Sequence, residues 1–205
     1  RVVLAHGAGA DMHSPFMLAC ASALGERGLR VARFDFPYMT RRRARGVRSP
    51  PDRAPVLLDC FKRVVLQLGA ANELVIGGKS MGGRMASMLA DELGVAGVVC
   101  LGYPFHPPGK PEQLRTAHLQ TLRTPCLIVQ GTRDRFGTRQ EVARYALSPR
   151  VQLAWVEGGD HDLSFRVRPG QRTPAGLDRG ILDAVEGFVR KVVVSRQRSA
   201  RTRRR

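Results

Sequence analysis

Residues 73–84, Glu-Leu-Val-Ile-Gly-Gly-Lys-Ser-Met-Gly-Gly-Arg, constrain the fold of this chain more than any other stretch. A short apolar run enters Gly78-x-Ser80-x-Gly82, and a helix-forming segment, Met85 to Leu93, follows at once. A strand that becomes a helix within one or two residues brings two backbones close together. Glycine two places either side of the serine removes the β-carbons that would collide, and the hydroxyl is left at the top of a strained turn. That is the sequence form of a nucleophile elbow, with Ser80 as the candidate nucleophile. Gly78-Lys79-Ser80 also reads as the end of a phosphate-binding loop. Such a loop needs another glycine where Glu73 stands, and a carboxylate sits badly beside phosphates. A glycine-rich turn without chemistry is the remaining alternative for a lone motif, so the rest of the chain has to decide.

A nucleophilic serine needs a base to take its proton and a carboxylate to hold that base, and after an elbow they follow in the order serine, acid, histidine. Cys126-Leu-Ile-Val-Gln130 reads as a strand, and the turn Gly131-Thr-Arg-Asp134-Arg-Phe-Gly137 places Asp134 just past its end. Val151 to Val156 alternates like a strand, and Glu157-Gly-Gly-Asp-His161-Asp162 puts His161 on the loop beyond it. In a parallel sheet the loops beyond the carboxyl ends of the strands share one edge, so Ser80, Asp134 and His161 can converge there. Asp134 could merely cap its own turn. Asp160 and Asp162 are rival acids, but immediate neighbours of a histidine reach its ring with difficulty. His106 and His118 fall in a proline-rich connection, and His13 is expected to start a helix.

The first residues supply an anion-binding element. Val2 to Ala5 reads as a strand, and His6-Gly-Ala-Gly-Ala10 follows directly. Backbone N–H groups of a small-residue loop at that edge can face the oxygen that becomes negative during acyl transfer. Ala8 or Gly9 is expected to be one donor and Met81, the residue after the nucleophile, the other. A dinucleotide-binding loop would need glycine or alanine where Met12 stands.

On these residues the chain resembles the alpha/beta-hydrolase superfamily. Within it, the chain is similar to the small dienelactone-hydrolase-like group related to the testis-expressed and histone-acetyltransferase regulatory-subunit proteins. The matching stretches are 6–11, 36–39, 50–55, 77–84, 102–111, 131–137 and 159–161, which span most of residues 1–165. The resemblance implies that Ser80, Asp134 and His161 form the triad. True dienelactone hydrolases carry cysteine where this chain has Ser80, and some eukaryotic relatives are subunits of complexes.

Length and patterning agree with an α/β fold: a mostly parallel sheet with helices on both faces. Strand-like segments fall near 1–5, 30–35, 73–77, 95–101, 125–130 and 151–156. Helical ones fall near 15–27, 55–68, 82–93, 112–122, 138–146 and 177–193. Residues 1–193 are expected to form one domain and 194–205 a basic, disordered tail. The connection where larger relatives insert a lid is only Gly102 to Thr124, which predicts a minimal lid or none. The chain opens with an arginine inside its first strand, so further residues are expected upstream. No signal peptide or membrane-spanning run is evident. Cys20, Cys60, Cys100 and Cys126 lack CxxC spacing and sit in apolar contexts, as expected of buried thiols in a reducing cytoplasm. No side-chain cluster has metal-ligand spacing, and no cofactor is expected.

The net charge of +17 is almost all arginine. Arg190, Lys191, Arg196, Arg198, Arg201, Arg203, Arg204 and Arg205 crowd the C-terminus without an acid. Such a run is most often solvated, and binding of nucleic acid or an acidic surface is the alternative. A second group, Arg41, Arg42, Arg43, Arg45, Arg48 and Arg53, follows the second strand. In a loop at the edge that carries Ser80, Arg41, Arg42 and Arg43 would rim the site and favour anionic acyl substrates. Two functional classes result. One is a carboxylesterase-like serine hydrolase that cleaves a small ester, thioester or related carbonyl compound through an acyl-enzyme. The other is a non-catalytic module that uses its basic surface to bind a nucleic-acid or protein partner.

Overall fold

Alternation along each central strand divides its side chains between two apolar layers. In β1 (Val2–Ala5), Val3 and Ala5 join one core while Val2 and Leu4 join the other. β3 (Val75–Lys79), β4 (Gly97–Leu101) and β5 (Cys126–Gly131) divide likewise. Ile76, Val98, Cys100 and Ile128 lie with the first core, and Val75, Val99, Leu101 and Val129 with the second. Strands apolar on both faces must be covered on both, which is the condition of a parallel sheet with crossover helices. The computed structural model, which describes residues 1–46, 49–164, 166–168, 171–172 and 177–202, has that architecture. With β2 (Val31–Phe34) and β6 (Val151–Val156), these strands form a six-stranded parallel sheet in the order β2-β1-β3-β4-β5-β6. The chain leaves β1 toward β2 and then returns past it to β3. The direction of the crossovers therefore switches between β1 and β3, where open α/β sheets place their ligands.

α1 (Pro15–Glu26) and α7 (Arg179–Thr202) cover one face through Met17, Cys20, Leu24, Ile181, Val185, Phe188 and Val192. The other face is covered by α2 (Pro37–Arg45), α3 (Ala54–Gln67), α4 (Met81–Leu93), α5 (Ala117–Gln120) and α6 (Arg139–Val142). α1, α2 and α3 each begin with proline in the first turn, where the missing N–H costs nothing and the fixed φ suits a helix.

The structure departs from the sequence expectations in five places. Arg41, Arg42, Arg43 and Arg45 lie on α2 and not in a loop, because Pro37 starts a helix that Gly46, at φ +66°, closes, while Arg53 stays in the loop before α3. The helix expected over 112–122 contracts to α5. Upstream of it the chain folds back: Arg115 N–H donates to Phe105 O, and the Tyr103 hydroxyl donates to Arg115 O. No lid domain stands over this edge among the described residues. The helix expected over 138–146 shortens to α6, whose first turn is closed by a reciprocal Thr138–Glu141 capping box. The tail expected to begin at 194 is instead the continuation of α7 as far as Thr202. A short hairpin, β7 (Arg166–Arg168) and β8 (Gln171–Arg172), was not foreseen. Arg48, Arg203, Arg204 and Arg205 lie outside the described residues.

Candidate active site

The elbow is built from close approaches that only glycine allows. A β-carbon on Gly78 or Gly82 would collide with the Ala5 carbonyl of β1, and one on Gly77 with the Val99 carbonyl of β4. Between them Ser80 adopts φ +50°, ψ −113°, a conformation that costs a non-glycine residue about 1–3 kcal/mol. Its N–H donates to Leu101 O at 3.0 Å and so pins the turn to β4, and α4 starts at the next residue.

Asp134 lies in the turn after β5 and is completely buried. Its Oδ1 accepts from the Phe136 N–H at 2.8 Å, and its Oδ2 accepts from Gln130 Nε2 at 2.8 Å and from His161 Nδ1 at 2.8 Å. Gln130 in turn accepts from the Tyr103 N–H at 2.7 Å, so β4, β5 and the acid share one buried network. His161 follows β6. With Nδ1 donating to Asp134, Nε2 is free to accept the Ser80 hydroxyl at 2.8 Å. The Phe136 ring lies 4.1 Å from the imidazole and helps to hold its plane. Neither rival acid reaches the ring: Asp160 accepts from the Asp162 and Ser164 N–H groups, and Asp162 pairs with Lys79.

Gly7, Ala8, Gly9 and Ala10 line a cavity of about 350 Å³ together with Phe16, Lys79, Ser80, Phe136 and His161. Met81 is the first residue of α4, so its N–H has no intrahelical acceptor. His6 and Tyr38 brace the loop from beneath. His6 Nε2 accepts from the Phe36 N–H at 3.0 Å, which leaves the proton on Nδ1 to donate to Gly7 O at 2.7 Å. Burial holds this imidazole below its ordinary pKa, partly opposed by the Gly7 hydrogen bond. The Tyr38 hydroxyl donates to Ala8 O at 3.0 Å. His6, Tyr38 and Gln130 escaped sequence reasoning. A glutamine ending an apolar strand was the only legible hint among them.

The remaining expectations meet mixed outcomes. Arg41 and Arg43 pair with Asp52 and Asp35, and the residues lining the cavity do not include Arg41, Arg42 or Arg43. The charges of Arg41 and Arg43 are thus met by local carboxylates. A second serine–histidine contact, Ser87 Oγ to His118 Nε2 at 2.9 Å, has the wrong polarity for a nucleophile. Ser87 already donates to Arg84 O at 2.8 Å, so its hydroxyl can only accept from the ring. All four cysteines are free, three buried and Cys60 half-buried. Among the described residues no metal-ligand cluster occurs, and no helix is long and apolar enough to cross a membrane.

Known proteins share this architecture. The chain resembles an alpha-beta serine hydrolase homologue from Coxiella burnetii at 21% identity and TM-score 0.61, over 93% of this chain and 84% of that one. It resembles a serine hydrolase without lid from Xanthomonas campestris at 19% identity and TM-score 0.61, over 95% and 81%. It also resembles a monoacylglycerol lipase from Paleococcus ferrophilus at 15% identity and TM-score 0.68, over 93% and 94%. The sequence profile of the alpha/beta hydrolase domain matches residues 1–190. With the parallel sheet, the glycine-built elbow and that match, the chain belongs to the alpha/beta hydrolase family.

Proposed function

We propose that this protein is a carboxylesterase-like serine hydrolase that cleaves a small ester, thioester or related carbonyl compound. One observation carries the reading: the unbroken hydrogen-bonded chain from Asp134 Oδ2 through His161 to Ser80 Oγ, with both links at 2.8 Å. In this mechanism His161 Nε2 takes the hydroxyl proton as Ser80 Oγ attacks the substrate carbonyl, and Asp134 stabilises the imidazolium. The N–H of Met81, with that of Ala8 or Gly9, holds the oxyanion. Collapse expels the alcohol or thiol with the proton from His161. Water, deprotonated by the same ring, then frees the acyl group. The stretches 77–84 and 102–111 support kinship with the dienelactone-hydrolase-like group, and the free thiols favour a cytoplasmic setting. A fluorophosphonate probe tests the reading. Labelling is expected for the wild type, to vanish in Ser80→Ala, and to slow by about 10⁴-fold in His161→Ala. An unlabelled but folded wild type refutes it.

A second reading rests on a separate feature. A groove of about 640 Å³ at the opposite edge of the sheet is lined by Arg123, Arg150, Lys191 and Arg196 and, among the described residues, by no carboxylate. That composition favours a nucleic-acid phosphate backbone, and charge reversal at Arg150 and Lys191 tests it.

A further inference from the structure

Lys79 and Ser80 are consecutive, yet both reach His161. The Ser80 hydroxyl meets the ring at Nε2, while Lys79 Nζ donates to the carbonyl oxygen of the same histidine at 2.6 Å. Neighbours in a regular strand point to opposite faces. The positive φ of Ser80 breaks that alternation at the elbow and lets two successive side chains serve one target. The ammonium is almost completely buried at the edge of the cavity, 5.6 Å from the centre of the Phe16 ring. Its other close partner, Asp162 Oδ1 at 3.3 Å, is largely exposed, so the His161 carbonyl is the inner and better-shielded contact. Gly102 keeps that contact open: a β-carbon there would stand 2.5 Å from His161 O and 3.1 Å from Lys79 Nζ.

We propose that Lys79 is a positioning residue for the hydrolytic reaction, holding the main chain of His161 so that its ring meets Ser80 in a single orientation. The inference rests on the serine-hydrolase reading. His161 lies on a loop that Asp160 ties internally by accepting from Asp162 N–H and Ser164 N–H. Lys79 and Ser80 thus grip the base at its backbone and at its ring, and Asp134 fixes the third point. Burial lowers the pKa of this ammonium while Asp162 raises it, which fits a cation retained by its partners and not by solvent. Outer groups of this kind that orient a reacting side chain are worth about 10- to 100-fold in activity.

The test uses the full chain, p-nitrophenyl acetate hydrolysis and the rate of fluorophosphonate labelling. Lys79→Met is expected to lower kcat and the labelling rate by about thirtyfold while KM changes less than about twofold. Lys79→Arg, which keeps a cationic donor, is expected to recover most of that loss. Gly102→Ala, which crowds both the carbonyl and the ammonium while leaving every charge in place, is expected to lower kcat with a native circular-dichroism spectrum. Wild-type kcat in folded Lys79→Met overturns the proposal. Should Lys79→Met fail to fold, wild-type kcat in Gly102→Ala overturns it, as does a Lys79→Arg variant as inactive as Ser80→Ala. A loss confined to KM for a carboxylate-bearing ester, such as p-nitrophenyl hemisuccinate, also overturns it, because Lys79 would then be a substrate-binding group. A wild type that does not label refutes the hydrolase reading itself, whereas a labelled wild type with an unaffected Lys79→Met removes only the role of Lys79.

Discussion

Burial disfavours the charged form of the His118 imidazole. His118 is pushed down to about 4, first by desolvation and then by the nearby Arg84 guanidinium. The unfolded chain takes up a proton at this residue near its ordinary value of 6.5, and the folded protein refuses it until about 4. The folded pKa is the lower one, so this group's contribution to stability is intact above 6.5 and is lost as pH falls from 6.5 toward 4. Urea midpoints measured at pH 7.5, 6 and 5 are expected to decline more steeply for the wild type than for His118→Gln, which keeps a donor toward Ser87. Equal slopes would show that His118 takes up its proton over the same pH range folded and unfolded. The hydrogen-bonded set of Asp134, His161 and Ser80 was legible at this scale because each member follows its own strand, and strand ends are readable from local pattern and turn residues. Gln130, His6 and Lys79 were not, since their partners are 27, 30 and 82 residues away in the chain.

Among the elements, α1, α3 and α4 fall where their apolar spacing placed them, and the two shortest do not. α5 and α6 are single turns, too short for a 3.6-residue period to register, and α6 depends on its capping box. α2 was missed because its arginines read as a polar loop, although Tyr38 and Met39 on it are buried. α7 carries the larger energetic role. Phe188 and Val192 pack over Gly97 at the start of β4, and Phe188 is nearly buried in the second core. Phe188→Ala is expected to cost about 3–5 kcal/mol in urea unfolding. Leu66→Ala, at an exposed position on α3, is expected to cost less than about 0.5 kcal/mol. A mild effect at Phe188 would mean that α7 does not close this face of the sheet.

Across the whole molecule, the parallel sheet separates two kinds of surface. The carboxyl ends of β1, β3, β5 and β6 gather the elbow, the acid, the base and the small-residue loop at one edge, and the basic groove lies at the other. A net charge of +17 attracts polyanions anywhere on the surface, so specificity of the groove is read only as a difference between variants. For a fluorescent single-stranded oligonucleotide, Arg150→Glu with Lys191→Glu is expected to weaken binding by at least about tenfold at 150 mM salt and to flatten its salt dependence. Equal weakening by charge reversal at Arg41 and Arg43 would point to diffuse attraction and refute a groove. Hydrolytic activity should be indifferent to both pairs.

Apolar alternation, the glycines flanking Ser80 and the order serine, aspartate, histidine decided the fold class, the strand ends and the three residues that meet there. All of these are local patterns, written within a few residues of where they act. The direction of the arginines on α2, the continuation of α7 to Thr202 and the grip of Lys79 on His161 were decided by folding alone. Each depends on distances between segments remote in sequence, which exist only once the sheet has brought β1, β3, β4 and the loop after β6 together.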